Sequence, residues 1–374
     1  LDGVTGVQTC ALPICFCIKC AGIAAAVVLA AGGFLLKGRI GGADPIAILS
    51  RFDSEGMVTE RREVSAGFKL ASPSGLVRLN FKSGAVVAVE APSDFLIESA
   101  MSMKLRSGRL NAWCPDTAHG FQIKTSTGTV TDLGTSFGVF APSDGPSEFM
   151  VLDGKIEVSR DGASRLLGKG DAVRIEHGRG IRNVAFEPLP YQNTWPLAYG
   201  ILATKGEVRP APPGTPEQLN ELVDNHAVLV IPEKRSVPFH QPIEAEFTGP
   251  GRITKLNAGQ IHRIEPQPAK RLKSFLIRYN PKYSKLPREF RGSVTFDRPV
   301  VAVCCQSKYL AATDAAFANG PVVFATEEES KYRGLDLDKT SLDAVTVFED
   351  GRTVRVYYQA SVASDEIRVI LEDE

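Results

Sequence analysis

The sequence is poor in histidine and carries no excess of either charge. Five histidines occur in 374 residues, and 43 Lys plus Arg balance 43 Asp plus Glu. A chain without net charge has no global field that attracts nucleic acid or acidic polymers, so we predict no direct nucleic-acid partner. No pair of histidines has HxH or HxxxH spacing, which excludes the histidine-based metal signatures. The five are His119, His177, His226, His240 and His262.

Signs of catalysis and of cofactor binding are also scarce. The carboxylate pairs, such as Glu327 with Glu329 and the terminal LEDE, are typical of solvated charge runs. The GxG occurrences lie between strand-like segments with no helix after them, so they do not predict a nucleotide site. We therefore predict no enzyme, no catalytic residue, no metal site and no cofactor.

Cysteine usage does not indicate a disulfide framework. Beyond the first twenty residues only three cysteines remain. Cys304 and Cys305 are adjacent, so a strand would direct them to opposite faces, where they are poorly placed to bond each other. We predict buried structural thiols there. The CxCxxC spacing at 15–20 has no second cluster that would complete a zinc site.

The first residues have no strand or helix period. Val4–Ile14, VTGVQTCALPI, resembles a translated sequencing adapter, and we exclude residues 1–14 from fold reasoning as a scar. We expect the native chain to extend further upstream.

A single long apolar run follows. Residues 20–36 carry no charge, and about 20 apolar residues cross a bilayer of about 30 Å when flanking lysines reach the headgroups. A cleaved signal peptide is the alternative, but basic residues stand where a small-residue cleavage site belongs. We predict an uncleaved transmembrane helix.

The rest of the chain predicts a mainly β protein. Between residues 60 and 188, short alternating segments are separated by Gly-containing turns every 8–12 residues or so, which is typical of an all-β domain. We expect strands of four to seven residues separated at pairs such as Ser107-Gly108. These are too short to bury two faces alone, so we predict a β-roll or solenoid-like sandwich.

Three phrases in this region carry a family resemblance. RSGRLNAW, VTDLGTSFGV and LDGKIEV occur in order within about 115 residues. The region resembles the FecR-type periplasmic domain of transmembrane regulators of extracytoplasmic-function sigma factors. The resemblance implies a sensor outside the membrane and a sigma factor as partner.

The phrase LGTSFGV also has a structural interpretation. Gly134 and Gly138 permit positive φ or close backbone approach, and the hydroxyls of Thr135 and Ser136 suit a turn. We predict a corner of the fold rather than a ligand site at Asp132, Thr135 or Ser136. Asp153-Gly154 predicts a hairpin.

Residues 189–225 form a proline-rich connector. Four prolines fall within residues 210–216, and stiff extended geometry predicts a spacer that keeps two modules apart. One short helix is expected after Thr215 as N-cap, with Pro216 at its first position.

Residues 226–374 predict a second β domain. The hairpin signal Asp350-Gly351 separates AVTVFED from TVRVYYQ, and alternation in VRVYY and IRVIL predicts a sandwich with both outer faces open to solvent. Residues 274–371 resemble a β-module that recurs in secreted bacterial proteins, and the resemblance implies no enzymatic activity.

Two binding sites remain open in this second domain. An oxygen-rich calcium site would need converging loops that carry Asp297, Asp314, Asp336 and Asp338. A glycan site would need exposed aromatic side chains. The candidates are Trp195, Tyr199, Tyr279 and Tyr283.

We expect a single-pass inner-membrane protein with its body in the periplasm. Its predicted function is to sense an envelope signal and transmit it to an extracytoplasmic-function sigma factor through the missing upstream segment. The alternative is a surface-anchored module that binds a glycan or an envelope protein without signalling. A change of sigma-factor access would require a signal that binds two states of the body unequally.

Overall fold

The computed structural model describes residues 44–215, 219–254, 260–282, 288–320, 333–335, 337, 342–360 and 364–373. The predicted scar at 1–14 and the predicted transmembrane helix at 20–36 lie outside the described residues. Residues from Pro45 onward form one compact unit. Within it we distinguish an N-terminal lobe, residues 45–188, and a C-terminal lobe, residues 189–373. The mainly β prediction is confirmed.

Short strands build the N-terminal lobe because β-branched and aromatic residues alternate with polar ones between turns. The strands are β1 (Ala47–Phe52), β2 (Val58–Val64), β3 (Lys69–Ser72), β4 (Leu76–Phe81), β5 (Val86–Ser99), β6 (Ser102–Trp113), β7 (Gln122–Lys124), β8 (Thr129–Asp132), β9 (Ser136–Ala141), β10 (Ser147–Asp153), β11 (Lys155–Arg160), β12 (Ala163–Gly168), β13 (Ala172–Glu176) and β14 (Gly180–Asn183). A 3-10 turn lies at Asp116–Ala118.

These fourteen strands form one hydrogen-bonded sheet folded into two layers. Its main order is β12-β11-β8-β7-β6-β5-β4-β1-β2, with β9, β10, β13 and β14 attached through β6, and β3 attached to β5. The first half of β5 pairs with β4 and the second half with β3, across a register shift between Glu90 and Asp94. β5 and β6 contain 14 and 12 residues, so the predicted limit of seven is wrong for this bent pair, which belongs to both layers.

The predicted turn at Ser107-Gly108 is also wrong, because both residues lie inside β6. Gly108 has φ of 119°, and a Cβ there would lie 2.7 Å from the Ser93 Cβ. The glycine is therefore required where the two long strands cross from one layer to the other.

Successive hairpins alternate between the layers. β7–β8 and β11–β12 extend one layer, while β9–β10 and β13–β14 extend the other. Leu110 and Phe137 from one layer share a fully buried core with Phe95, Ile123 and Val158 from the other. Burial of one such side chain contributes about 1.5–3 kcal/mol to stability.

Asp153-Gly154 connects the layers and does not close a hairpin, so that prediction is wrong. β10 pairs with β9 and β13, whereas β11 pairs with β8 and β12. Gly154 has φ of 80°, and a Cβ there would lie 2.4 Å from the Gly134 carbonyl oxygen. Two layer-to-layer connections are thus stacked against each other at this point.

The C-terminal lobe contains thirteen strands and two α-helices among its described residues. These are α1 (Thr194–Tyr199), β15 (Ile201–Gly206), β16 (Val208–Pro210), β17 (Asp224–Pro232), β18 (Val237–Pro238), β19 (Ile243–Ala245), β20 (Gly251–Ile253), β21 (His262–Ile264), β22 (Arg271–Asn280), β23 (Arg288–Phe296), β24 (Val300–Cys304), α2 (Ser307–Phe317), β25 (Ala344–Val347), β26 (Thr353–Ala360) and β27 (Asp365–Asp373). The 3-10 turns are Leu189–Tyr191 and Leu219–Glu221.

Two sheets face each other in this lobe, as predicted for a sandwich. The order β15-β23-β26-β25-β20 makes one sheet, and β16-β17-β22-β27-β24 with β18 makes the other, while β19 and β21 form a separate hairpin. Phe296 and Tyr358 from the first sheet share a core with Phe275, Ile277 and Val369 from the second.

The six-stranded sheet is covered on its outer face, so the prediction of two solvent-open faces is wrong. Leu310 and Phe317 of α2 pack with Leu276, Ala302 and Ile370 of the sheet in a second core. β27 is consequently buried over its first seven residues. The sequence did not indicate α2, because its eleven residues are mostly alanine and polar side chains with few apolar positions at helical spacing.

Two local predictions in this lobe are confirmed. β25 and β26 pair around Asp350-Gly351, where the Asp350 carboxylate accepts the amides of Arg352 and Thr353 at 2.8 Å each. Cys304 lies in the outer core and Cys305 in the inner core, so their thiols point to opposite faces.

A glycine pair tests the stacked connections. Gly154→Ala is expected to lower the free energy of unfolding by more than the roughly 1 kcal/mol that positive φ alone costs, because its Cβ also meets the Gly134 carbonyl. Gly162→Ala is the matched control, since Gly162 has φ of 83° with nothing within 4 Å of its Cβ position. Urea denaturation measures both, and equal losses would contradict the stacking.

Candidate functional site

The DLGTSF segment forms a buried corner between β8 and β9. The Asp132 carboxylate accepts the Gly134 amide at 3.0 Å and the Thr135 hydroxyl, and Gly134 has φ of 97°. Asp132, Thr135 and Ser136 are all buried. Burial raises the pKa of Asp132, although these hydrogen bonds oppose the rise. The predicted corner is confirmed at Gly134.

Gly138 allows another side chain to approach the β9 backbone closely, as the sequence analysis predicted. A Cβ there would lie 2.5 Å from the Tyr191 ring, so the ring of the following connector rests on the β9 backbone.

Residues 134–138 also match the G-x-S-x-G spacing of hydrolase nucleophiles, which the sequence interpretation did not take into account. Ser136 begins a strand and is 1% exposed, whereas a nucleophile elbow needs an exposed serine that leads into a helix.

The prolines of the connector 189–225 predicted a spacer that keeps two modules apart, and this prediction is wrong. All six residues of α1 are buried. Leu197 and Ala198 pack with Phe52 and Ala88 of the N-terminal lobe, and Trp195 shares its core with residues of both lobes. α1 is therefore a wedge in the seam, the surface along which the lobes meet. The proline count gave a wrong prediction because burial of the apolar side chains before Pro210 outweighs the preference of the prolines for an extended spacer.

The helix predicted after Thr215 is described only in part. The Thr215 hydroxyl donates to the Pro212 carbonyl at 2.6 Å, and one 3-10 turn follows at Leu219–Glu221. Residues 216–218, including the predicted first helical position, lie outside the described residues.

A chain of buried charges crosses the seam. Arg78 of β4 donates from Nη2 to Asp297 Oδ2 at 2.6 Å, and Lys273 of β22 donates to Asp297 Oδ1 at 2.8 Å. Gly200, directly after α1, accepts the Asp297 amide at its carbonyl oxygen at 2.9 Å. A Cβ at Gly200 would lie 2.4 Å from the Asp297 carboxylate, so only glycine leaves room for the ion pair.

The chain continues to a second carboxylate. Asp373 at the end of β27 lies 3.9 Å from Lys273 Nζ and accepts Arg235 Nη2 at 2.8 Å. The Arg235 guanidinium carbon lies 3.2 Å from the centroid of the Trp113 ring, which belongs to β6 of the N-terminal lobe. We call these five charged residues the ionic chain: Arg78, Asp297, Lys273, Asp373 and Arg235.

Mutual attraction keeps the ionic chain charged despite burial. Burial opposes ionisation of Asp297, but Lys273 and Arg78 hold its pKa well below the usual range. Burial likewise opposes ionisation of Asp373, and Arg235 with Lys273 lowers its pKa to about 2. Burial lowers the pKa of Lys273 to about 8 against the attraction of Asp297. Three cations and two carboxylates form the ionic chain, which already has one excess positive charge, so removing either carboxylate adds to the uncompensated buried positive charge.

Two clefts flank the seam. One, of about 480 Å³, lies between Trp113 and Asp153 of the N-terminal lobe and residues 233–236 of the C-terminal lobe. The other, of about 830 Å³, lies between the β1–β2 turn and β15. Gly56 of that turn approaches β15 so closely that a Cβ would lie 2.7 Å from the Ala203 Cβ.

A second buried network lies beneath α2. Arg368 donates to both oxygens of Glu233 at 2.7 and 2.8 Å and to Asp314 at 2.8 Å. Arg333 pairs with Asp314 and Glu366. Burial opposes protonation of Arg368, but Glu233 and Asp314 outweigh it and raise the pKa further. The network anchors α2 to the sheet that carries Lys273 and Asp373.

The structure separates the two described residues of the calcium site that the sequence left as an alternative. Asp297 is paired with Arg78 and Lys273, and Asp314 with Arg333 and Arg368, so arginine and lysine already neutralise both carboxylates. Asp336 and Asp338 lie outside the described residues. Within the described ranges no group of three acidic, histidine or cysteine side chains is placed to hold a metal.

The aromatic candidates for glycan binding are buried. Trp195, Tyr199 and Tyr279 are 5%, 8% and 0% exposed, and Tyr283 lies outside the described residues. An aromatic platform for a sugar must present one face to solvent. These three side chains instead fill the cores at the seam and in the sandwich.

The sequence interpretation missed the ionic chain. Lys273 and Arg78 lie in the strands KSFLIRY and LVRLNF, where a charged residue among apolar neighbours signals a buried ion pair. Arg235 and Asp373 lie in polar segments with no such signal. Only tertiary structure brings residues 78, 235, 273, 297 and 373 together.

No helix within the described ranges is long and apolar enough to cross a membrane.

Replacing Asp297 tests the ionic chain. Asp297→Asn keeps the side-chain size but leaves Arg78 and Lys273 buried without their counter-charge, so we expect a loss of about 3–5 kcal/mol in the free energy of unfolding. Glu289→Gln is the control, because Glu289 pairs with an exposed arginine and solvent screens that pair. Similar losses in the two variants, measured by urea denaturation, would contradict the role of the seam.

Ionisation of Asp373 makes the free energy of unfolding depend on pH in the acid range. Its folded pKa of about 2 lies below the unfolded value of about 3.9, so its contribution is complete above about pH 4 and is lost as the pH falls through about 2. We expect the free energy of unfolding to fall across this window, and to fall less steeply in Asp373→Asn. Equal pH dependence in both proteins would show that Asp373 is not ion-paired.

Comparisons with known proteins give a limited result. No family model matches the chain, and no curated protein shows significant similarity to it. Two of the solved structures that match are crystal structures of a candidate anti-sigma factor from Parabacteroides distasonis, each at 19% sequence identity, with TM-scores of 0.29 and 0.30. The matches cover 32% and 35% of this chain and 60% and 64% of those chains, so the chain spans less than two thirds of either. TM-scores this low do not assign a shared fold.

Proposed function

We propose that the chain is a membrane-anchored regulator of anti-sigma type whose two-lobed β body receives a signal outside the inner membrane. The observation that carries this proposal is the seam, where two lobes meet through a wedge helix and a buried ionic chain. A regulator needs two arrangements that a ligand binds unequally. A single seam flanked by two clefts supplies surfaces that differ between a joined and a separated arrangement.

The FecR resemblance supports the same proposal. DLGTSF and LDGKIEV, the phrases that carry it, form the two stacked connections between layers in the N-terminal lobe. These phrases therefore specify the scaffold, and the proposed regulatory behaviour is assigned to the seam. The sigma factor is the proposed partner of a segment upstream of the apolar run.

The alternative, a surface-anchored adhesive module that binds a glycan or an envelope protein, lacks a supporting observation among the described residues. Its described aromatic candidates are buried. We therefore propose regulation alone.

A fusion experiment tests the proposed location. Alkaline phosphatase, which is active only outside the cytoplasm, is fused after Glu374 in the chain that retains residues 20–36, and β-galactosidase is fused at the same position as the converse reporter. We expect phosphatase activity without β-galactosidase activity, because residues 20–36 are long enough to span the bilayer and the FecR resemblance implies a body outside the membrane. Deleting residues 20–36 is the control. The opposite activity pattern would rule out a periplasmic body.

A transcriptional reporter tests the proposed partner. The complete upstream coding region is recovered and expressed with each extracytoplasmic-function sigma factor of the same genome and a promoter that the factor recognises. We expect deletion of residues 45–374 to change reporter output severalfold, and the upstream segment to bind the sigma factor in a two-hybrid assay. Unchanged output together with no binding would reject the regulatory function.

A further inference from the structure

Arg235 belongs to the C-terminal lobe but covers a side chain of the N-terminal lobe. It follows β17, and its guanidinium carbon lies 3.2 Å from the centroid of the Trp113 ring. The Arg235 side chain is 7% exposed. A guanidinium over an indole face gains cation–π attraction, which strengthens when water is excluded.

The same guanidinium contacts three of the elements that meet at the seam. Its Nη2 and Nε donate to the two Asp373 carboxylate oxygens at 2.8 and 3.3 Å. Its Nη1 reaches the Ala198 carbonyl in α1 at 3.5 Å. One side chain thus joins the N-terminal lobe, the wedge helix and the last strand of the sandwich.

The backbone next to Arg235 is strained. Ser236 has φ of 53°, in the left-handed region that non-glycine residues rarely adopt. Two contacts hold it there: the Ser236 amide donates to Asp373 Oδ2 at 2.9 Å, and its carbonyl accepts Arg271 Nη1 at 3.0 Å. Asp373 therefore contacts both the arginine and the strained residue, so losing Asp373 frees Arg235 and leaves Ser236 held by Arg271 alone.

The arginine also borders a cleft. Residues 233–236 form one wall of the 480 Å³ cleft, and Trp113 and Asp153 belong to the other. Withdrawal of Arg235 would expose the indole face and enlarge the cleft on the side of the N-terminal lobe.

We propose that Arg235 is a releasable latch between the lobes, held on Trp113 by Asp373 and set against a strained backbone at Ser236. This inference rests on the proposed function, because a regulator needs two arrangements and the latch defines them. In the closed arrangement Arg235 covers Trp113. In the open arrangement it leaves Asp373, Ser236 relaxes, and the cleft gains an exposed aromatic wall.

Intrinsic fluorescence reports the latch directly. The chain has two tryptophans, Trp113 and Trp195, and both line this cleft. In Arg235→Ala we expect acrylamide quenching of tryptophan to increase about twofold, because one of the two indoles loses its cation–π cover. Arg291→Ala is the matched control: its guanidinium carbon lies 4.7 Å from the Tyr357 ring centroid on the exposed side of the C-terminal lobe, and quenching should stay unchanged.

Two further arms separate a latch from a merely structural arginine. Ethylguanidinium, added to Arg235→Ala below denaturing concentrations, should occupy the vacated place and restore low quenching, whereas tetramethylammonium, which has no N–H groups for Asp373, should restore less. Ser236→Gly removes the strain and should reduce quenching below that of the wild type. This second variant decides the matter if Arg235→Ala fails to fold.

The outcomes are separable. Unchanged quenching in folded Arg235→Ala, no rescue by ethylguanidinium, or unchanged quenching in Ser236→Gly would each overturn the latch. The quenching experiment needs no sigma factor, so its failure leaves the regulatory proposal standing. A reporter that ignores deletion of residues 45–374 rejects the regulatory proposal, whereas the quenching result still decides the latch.

Discussion

The two lobes depend on one constraint: two carboxylates must offset most of the buried positive charge that three cations bring to their seam. Asp297 pairs with Arg78 of the N-terminal lobe and with Lys273 of the C-terminal lobe. Separation of the lobes would therefore break at least one of these two ion pairs. Separation would return these groups to water, which compensates part of the lost Coulomb energy. A seam of this kind holds firmly while closed yet has a hydrated open state, unlike a wholly apolar core.

Backbone geometry in the N-terminal lobe serves the same seam. The chain crosses between layers at Asp132–Thr135 and again at Asp153-Gly154, and the two crossings stack because Gly154 has no side chain. This stacking fixes β9 and β10. The Tyr191 ring packs on the outer surface of β9, and Met150 of β10 packs in the core around Trp195. The phrases that carry the family resemblance are therefore architectural, and they act on the seam through packing.

The C-terminal lobe places its charges on a rigid support. Lys273 and Asp373 lie on β22 and β27, in a sheet that is buried on both faces by the sandwich core and by α2. Arg368 and Glu233 tie α2 to the same sheet. Motion of the proposed latch is consequently expected at Arg235 and Ser236, which follow the Glu233 anchor, rather than within the sheet.

Local sequence patterns determined the strand-rich class, the Asp350-Gly351 hairpin, the corner at Gly134 and the opposed thiols of Cys304 and Cys305, because each follows from residue alternation or turn preference within a few positions. They did not reveal α2, the bent β5–β6 pair, or the role of α1 as a wedge. Tertiary structure alone decided the partners of Arg78, Arg235 and Asp373, since electrostatic pairing acts through space and leaves no periodic trace along the chain.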